Sequence, residues 1–182
     1  MGGGFYRPFF FMVLRQERTG IDKKFYELCS KVVSDEGLTI YDMDYLPGSH
    51  CLRLYITQGE TDTAVIEDCA KIDKALSPFI DESEWMPEIL NLEVSSPGLF
   101  RQLTTVEHFE LVCGKDISLN LKQNIAEYIK GREKVNKKQN KAKNVICKLL
   151  AVKEESLEVV AFGLKISLLF TEIKKANLET KL

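Results

Sequence analysis

The stretch NLEVSSPGLFRQL, residues 91–103, decides how the chain divides. Its first half alternates with the period of two that belongs to a half-buried strand, placing Leu90, Leu92 and Val94 inward. Ser95, Ser96, Pro97 and Gly98 then interrupt the alternation, and Arg101 follows three residues later. Proline presets one backbone dihedral, glycine permits a positive one, and serine hydroxyls can bond nearby backbone groups, so the pattern predicts a turn. Gly98 is expected to hold a positive φ where the chain leaves a sheet for a second domain. Catalytic readings of the serine pair fail. A nucleophile elbow needs glycine two residues on either side of the serine, and the leading one is missing. A phosphate loop needs more glycines and a lysine directly after them. His50 and His108 fall in a hairpin turn and on a short helix, with nothing to mark either as a base.

Working back from this junction, ILNLEV is preceded by Val65, Cys69, Ile72, Leu76 and Phe79, which share one helical face. Before that, LTIYDMDYL and CLRLYIT alternate around the turn PGSH and predict a hairpin. In IDKKFYELCSKVVSDEG, positions 21, 25, 28, 29, 32 and 33 line one face of a helix that Gly37 is placed to end. The order helix, strand, strand, helix, strand predicts an α+β sandwich over 21–97. Residues 1–20 hold the apolar run FYRPFFFMVL, about half of what a membrane span needs, without a small-residue cleavage site. They read as a flexible or wrongly assigned leader, with Met12 an alternative start.

Working forward, Thr104, Thr105 and Glu107 offer a cap for the short helix VEHFELVC, stopped at Gly114. Only strands follow: DISLNL, NVICKLLAV, SLEVVAF and LKISLLF, after which TEIKKANL reads as one helical turn feeding a last strand. Short, evenly spaced strands predict a small closed all-β barrel over 98–182, because closure removes exposed edges. The fold class is therefore α+β, with two domains.

Composition narrows function less than charge distribution does. The 182 residues carry a formal net charge of −2, which alone predicts no partner. Five cysteines, each in an apolar frame and never closer than 18 residues, read as buried free thiols of a reducing, cytoplasmic compartment rather than a disulfide framework or zinc site. Between Lys130 and Lys148, however, eight basic residues face one acid, Glu133. Such a loop, at about 122–144, can be a solvated hairpin. Its single sign, and Asn and Gln in place of apolar residues, favour phosphates opposite it. Lys130, Arg132, Lys134, Lys137, Lys138, Lys141 and Lys143 are the candidate contacts to nucleic-acid backbone phosphates. Between Thr57 and Glu93, ten acids face only Lys71 and Lys74. That face, represented by Glu67, Asp68 and Asp81, is a candidate contact for a basic protein.

LEVSSPGL followed by Arg101, then FELVCGKDISL, and finally EIKKANL, make the chain resemble the ribosome maturation factor RimP family from about Ile21 to Leu178. The first motif is specific; the others are weak alone. Phe100 and Gln102 stand where the family usually has aspartate and proline, and the basic loop is longer than usual. The resemblance implies an N-terminal α+β domain, a small Sm-like or SH3-like C-terminal barrel, and a non-catalytic, cofactor-free role in late assembly of the small (30S) ribosomal subunit. It also implies transient contact with small-subunit ribosomal protein twelve and small-subunit rRNA, by a monomer away from membranes. Two rivals stand beside it: an RNA-binding regulator with KH-like or Sm-like surfaces, and a serine hydrolase acting through Ser95 or Ser96.

Overall fold

A computed structural model of the chain describes residues 14, 15, 17–59, 63–129 and 141–180. Two compact units make up the chain, Glu17–Gly98 and Leu99–Leu182, the second also drawing in the residues that precede Glu17.

The first unit runs α1 (Gly20–Asp35), β1 (Thr39–Leu46), β2 (Cys51–Thr57), α2 (Ile66–Glu82) and β3 (Asn91–Ser95). β1 and β2 are antiparallel neighbours joined through Pro47–Ser49, with His50 left-handed at φ 48°. β3 returns by way of α2 and pairs parallel to β2. A parallel pair cannot be closed by a tight turn, and the intervening helix supplies the crossover. One side of the sheet and the inner faces of both helices share a core of Phe25, Cys29, Val33, Met43, Leu54, Ile56, Ile72 and Leu76. Phe25 anchors it, with its ring 4.7 Å from that of Tyr45 and 5.2 Å from that of Trp85.

Of the residues expected to form a flexible leader, those described have defined partners. Arg18 donates to both carboxylate oxygens of Asp22 (3.0 and 2.8 Å), to Asp42 (3.4 Å) and to the Met43 carbonyl (2.8 Å), fastening the start of α1 to β1. Leu14 packs against the core of the second unit, and the Arg15 amide donates to the Thr104 carbonyl at 2.6 Å. The expected inward stripe of α2 holds only at its centre. Ile72 and Leu76 are buried, whereas Val65 and Phe79 are 52% and 44% exposed.

The second unit contains α3 (Val106–Leu111), β4 (Asp116–Leu121), β5 (Asn144–Val152), β6 (Ser156–Ala161), β7 (Leu164–Leu169) and β8 (Ile173–Leu178). Thr105 caps α3 by accepting from the His108 amide at 3.2 Å. The ladder order is β7-β6-β5-β4-β8, antiparallel throughout. Alternate residues of all five strands enclose one core with Leu103, Phe109 and Phe170. The expectation of a closed barrel is corrected here: β7 and β8 end the ladder, and no pairing between them closes it among the described residues. The reason lies at the edges. The outer side of β8 is taken by residues 101–103: the Leu178 amide donates to the Arg101 carbonyl and the Leu103 amide to the Ala176 carbonyl, both at 2.9 Å. The β7 edge lies against a 3₁₀ turn, Ile125–Tyr128. Both edges are protected by covering, which answers the same hazard as closure.

Buried cysteines behave as the apolar frames suggested. Burial pushes the thiols of Cys29 and Cys147 up to about 12, so both remain protonated near neutrality. Cys113 is exposed, its Sγ 3.1 Å from the Leu150 carbonyl.

Candidate functional site

The junction is a turn with defined backbone demands. β3 ends at Ser95, Ser96 is half-buried, and Gly98 has φ 74°. A Cβ added at Gly98 would meet open space, so the obstacle to another residue is the backbone angle alone. Gly98→Val is therefore expected to lower unfolding free energy by about 1–3 kcal/mol, measured by urea denaturation. An unchanged midpoint would show that the turn tolerates a β-branched residue at a left-handed position. Beyond the glycine, Leu99 and Phe100 are exposed, while their carbonyls accept from Thr180 Oγ1 (3.2 Å) and Asn177 Nδ2 (2.9 Å). Arg101 is buried within the all-β unit at 8% exposure. The His108 ring is engaged with Thr104, its Nδ1 3.2 Å from the Thr104 amide.

The strand leading into the turn belongs to a polar sheet face on the side away from the helical core. Register places Asp44, Arg53 and Glu93 in one row across the three strands, and Asp42, Tyr55 and Ser95 in the next. Arg53 Nε donates to Glu93 Oε2 at 2.7 Å, and that bond holds the Glu93 carboxyl below its usual range. Burial raises the Tyr55 phenol, with Asp44 reinforcing the shift. With Asp42 engaged by Arg18, Asp44 and Glu93 against Arg53 leave the central row one negative charge in excess. Sequence reading treated Asp42, Asp44, Arg53 and Glu93 only as solvent-facing alternates. Their convergence depends on cross-strand register over 40 residues of separation, as the Arg53–Glu93 bond shows.

The acids singled out on α2 have separate fates. Glu67 is exposed in the first turn. Asp68 is half-buried and caps the helix, accepting from the Val65 amide at 3.0 Å and from Gln58 Nε2 at 2.9 Å. The Asp81 backbone is helical, but its side chain lies outside the described residues.

Residues 28–100 match the family model described as the RimP N-terminal domain. Those residues are similar to a RimP N-terminal domain. The match ends just past the Ser95–Gly98 turn and leaves the five-stranded unit outside it. A RimP N-terminal domain suggests a role in ribosome maturation. No helix among the described residues is long and apolar enough to cross a membrane.

The basic loop is described only at its base. Lys130, Arg132, Lys134, Lys137 and Lys138 lie outside the described residues, whereas Lys141 and Lys143 are exposed on the approach to β5. The loop is shorter than the expected 122–144. Ile125 and Ile129 are buried, the Ile125 amide donates to the Ala142 carbonyl (2.8 Å), and the Leu121 amide donates to that of Lys143 (2.7 Å). An open cavity of about 430 Å³ lies beside the start of the loop, lined by Tyr128, Ile129, Glu158 and Lys165 among others. Its lysine is no free phosphate site, because Lys165 Nζ pairs with Glu158 Oε2 at 2.6 Å. Lys153 also bonds Glu158, and the two lysines hold that carboxyl down at about 2.

Proposed function

We propose that the chain is a non-catalytic factor in maturation of the small (30S) ribosomal subunit, binding rRNA and a basic ribosomal protein transiently. Small-subunit ribosomal protein twelve is the partner that the family suggests. The observation that carries the reading is the carboxylate-bearing sheet row built next to the RimP-like turn motif: Asp44 and Glu93 against Arg53. Lysine- and arginine-rich segments fit such a face by charge; Glu67, exposed on α2, belongs to the helical layer on the other side of the sheet. Asp68 is better read as a helix cap. The lysine loop between β4 and β5 supplies the complementary rRNA contact through phosphates. An Sm-like or SH3-like reading of the C-terminal unit rests on its bent five-stranded ladder around a single core. The proposed setting is the cytoplasm, and the proposed working form a monomer without cofactors.

Association with the purified basic protein tests the acidic face. Asp44→Asn combined with Glu93→Gln is expected to slow the on-rate several-fold and flatten its salt dependence, since charges at an interface rim act chiefly on encounter. Equal on-rates for wild type and variant at low salt would remove the sheet face from the reading.

A further inference from the structure

Charge on the loop explains attraction to phosphates but not the side chains onto which it leads. β5 begins at Asn144, directly opposite Asn120 of β4, and Asn120 in turn stands opposite Lys175 of β8. The next row holds Ile146, Ser118 and Asn177. All six point away from the core, whose residues from these strands are the alternating Ile117, Leu119, Leu121, Val145, Cys147 and Ala176. Neither row contains a carboxylate. Lys141 and Lys143 are exposed on the chain leading into Asn144, and Lys174 is exposed beside Lys175 where a bulge interrupts the β4–β8 register.

Asn120 Nδ2 donates to Asn144 Oδ1 at 2.7 Å. The bond consumes one donor and one acceptor, leaving the Asn120 side-chain oxygen as an acceptor and the Asn144 side-chain NH2 as a donor on adjacent residues. Exchanging the oxygen and nitrogen of both amides would leave the same pair available. A neighbouring acceptor and donor match the edge of a nucleobase, and carboxamides read such edges bidentately. Ile146, 61% exposed in the adjoining row, supplies an apolar surface for the base to lie against. A paired RNA helix hides these edges in a deep, narrow groove, whereas an open sheet face reaches bases that are splayed from a single strand.

We infer that the β5-β4-β8 face is a binding surface for unpaired RNA bases, with Asn120 and Asn144 contacting a base edge and Lys175, with Lys141 at the approach to β5, holding the flanking phosphates. The inference rests on the rRNA contact proposed above and adds base recognition to it. Phosphate contacts position a strand; base contacts distinguish it from a bare polyanion.

Fluorescence anisotropy with the full chain separates these contributions, using a labelled 12-nucleotide single-stranded RNA of mixed sequence and the same oligomer built with abasic riboses. Wild type is expected to bind the base-bearing oligomer roughly tenfold tighter. Asn120→Ala with Asn144→Ala should abolish that preference and leave the salt slope unchanged, because no charge is removed. A double variant that melts like wild type yet keeps the preference would overturn the inference. Equal wild-type affinity for both oligomers would overturn it too, while a steep salt slope in the same titration would leave the phosphate contact standing. Binding to neither oligomer would overturn the inference together with the rRNA contact.

Discussion

Replacing Lys134, Lys137, Lys138 and Lys141 by glutamine is expected to weaken binding to the small ribosomal subunit and shrink its logarithmic salt slope by up to about three units. Each lysine engaged with a phosphate releases condensed counterions, contributing roughly 0.7–0.9 to the slope. Melting should hardly change, since surface substitutions away from caps and cores usually stay within about 0.5 kcal/mol. The first three positions lie outside the described residues, and Lys141 stands exposed at the loop's return to β5. An insertion there is tolerated because each doubling of loop length costs only about 0.6 kcal/mol. Titrations against purified subunits at several salt concentrations supply the slope. A merely solvated hairpin would leave both slope and affinity as they were, and that result would return the loop to ordinary surface.

The largest stability effect is expected at Phe109, on a helix of only six residues. Its ring is fully buried, 5.5 Å from that of Phe170. Phe109→Ala should cost about 3–5 kcal/mol through lost transfer energy and the cavity left behind. That is a large share of the stability of a small unit, typically about 5–15 kcal/mol. Phe79→Ala on α2, where 44% of the residue is exposed, provides the comparison and should cost far less. Chemical denaturation monitored by circular dichroism gives both values. Similar losses at the two sites would mean that α3 does not seal the core of the all-β unit.

Phe79 also shows where sequence reading stops. Its spacing from Ile72 and Leu76 is helical, and the inward stripe followed from that periodicity. Yet Phe79 is 44% exposed while Ile80, one residue further on, packs partly buried against the core. Periodicity gives the side of a helix that faces inward; the neighbours that reach each position decide which residues on that side are covered. The strands, the capped short helix and the Pro97–Gly98 turn were legible because each is specified by residues within a few positions. The polar face of the first sheet was not, since Asp44 meets Arg53 and Glu93 only through register. The open ladder escaped for a similar reason: residues 101–103 looked like the tail of a turn, yet they cover β8. Likewise, Asp68 carried the right charge for a docking face but is occupied in holding the first turn of α2.

The bond between the Arg15 amide and the Thr104 carbonyl bears on vectorial synthesis. Leu14 and Arg15 belong to the five-stranded unit, so the three-stranded unit is an insertion within it. During translation these two residues emerge first and then wait while the whole inserted unit is made. At about 5–20 residues per second, Thr104 follows only after an interval on the order of ten seconds. The inserted unit has time to fold before its host is complete. A fragment begun at Leu99 would lack this upstream cover, leaving the backbone at Thr104 and the core beside Leu14 open to water. Any dissection of the two units should therefore carry Leu14 and Arg15 with the second, despite the sequence distance between them.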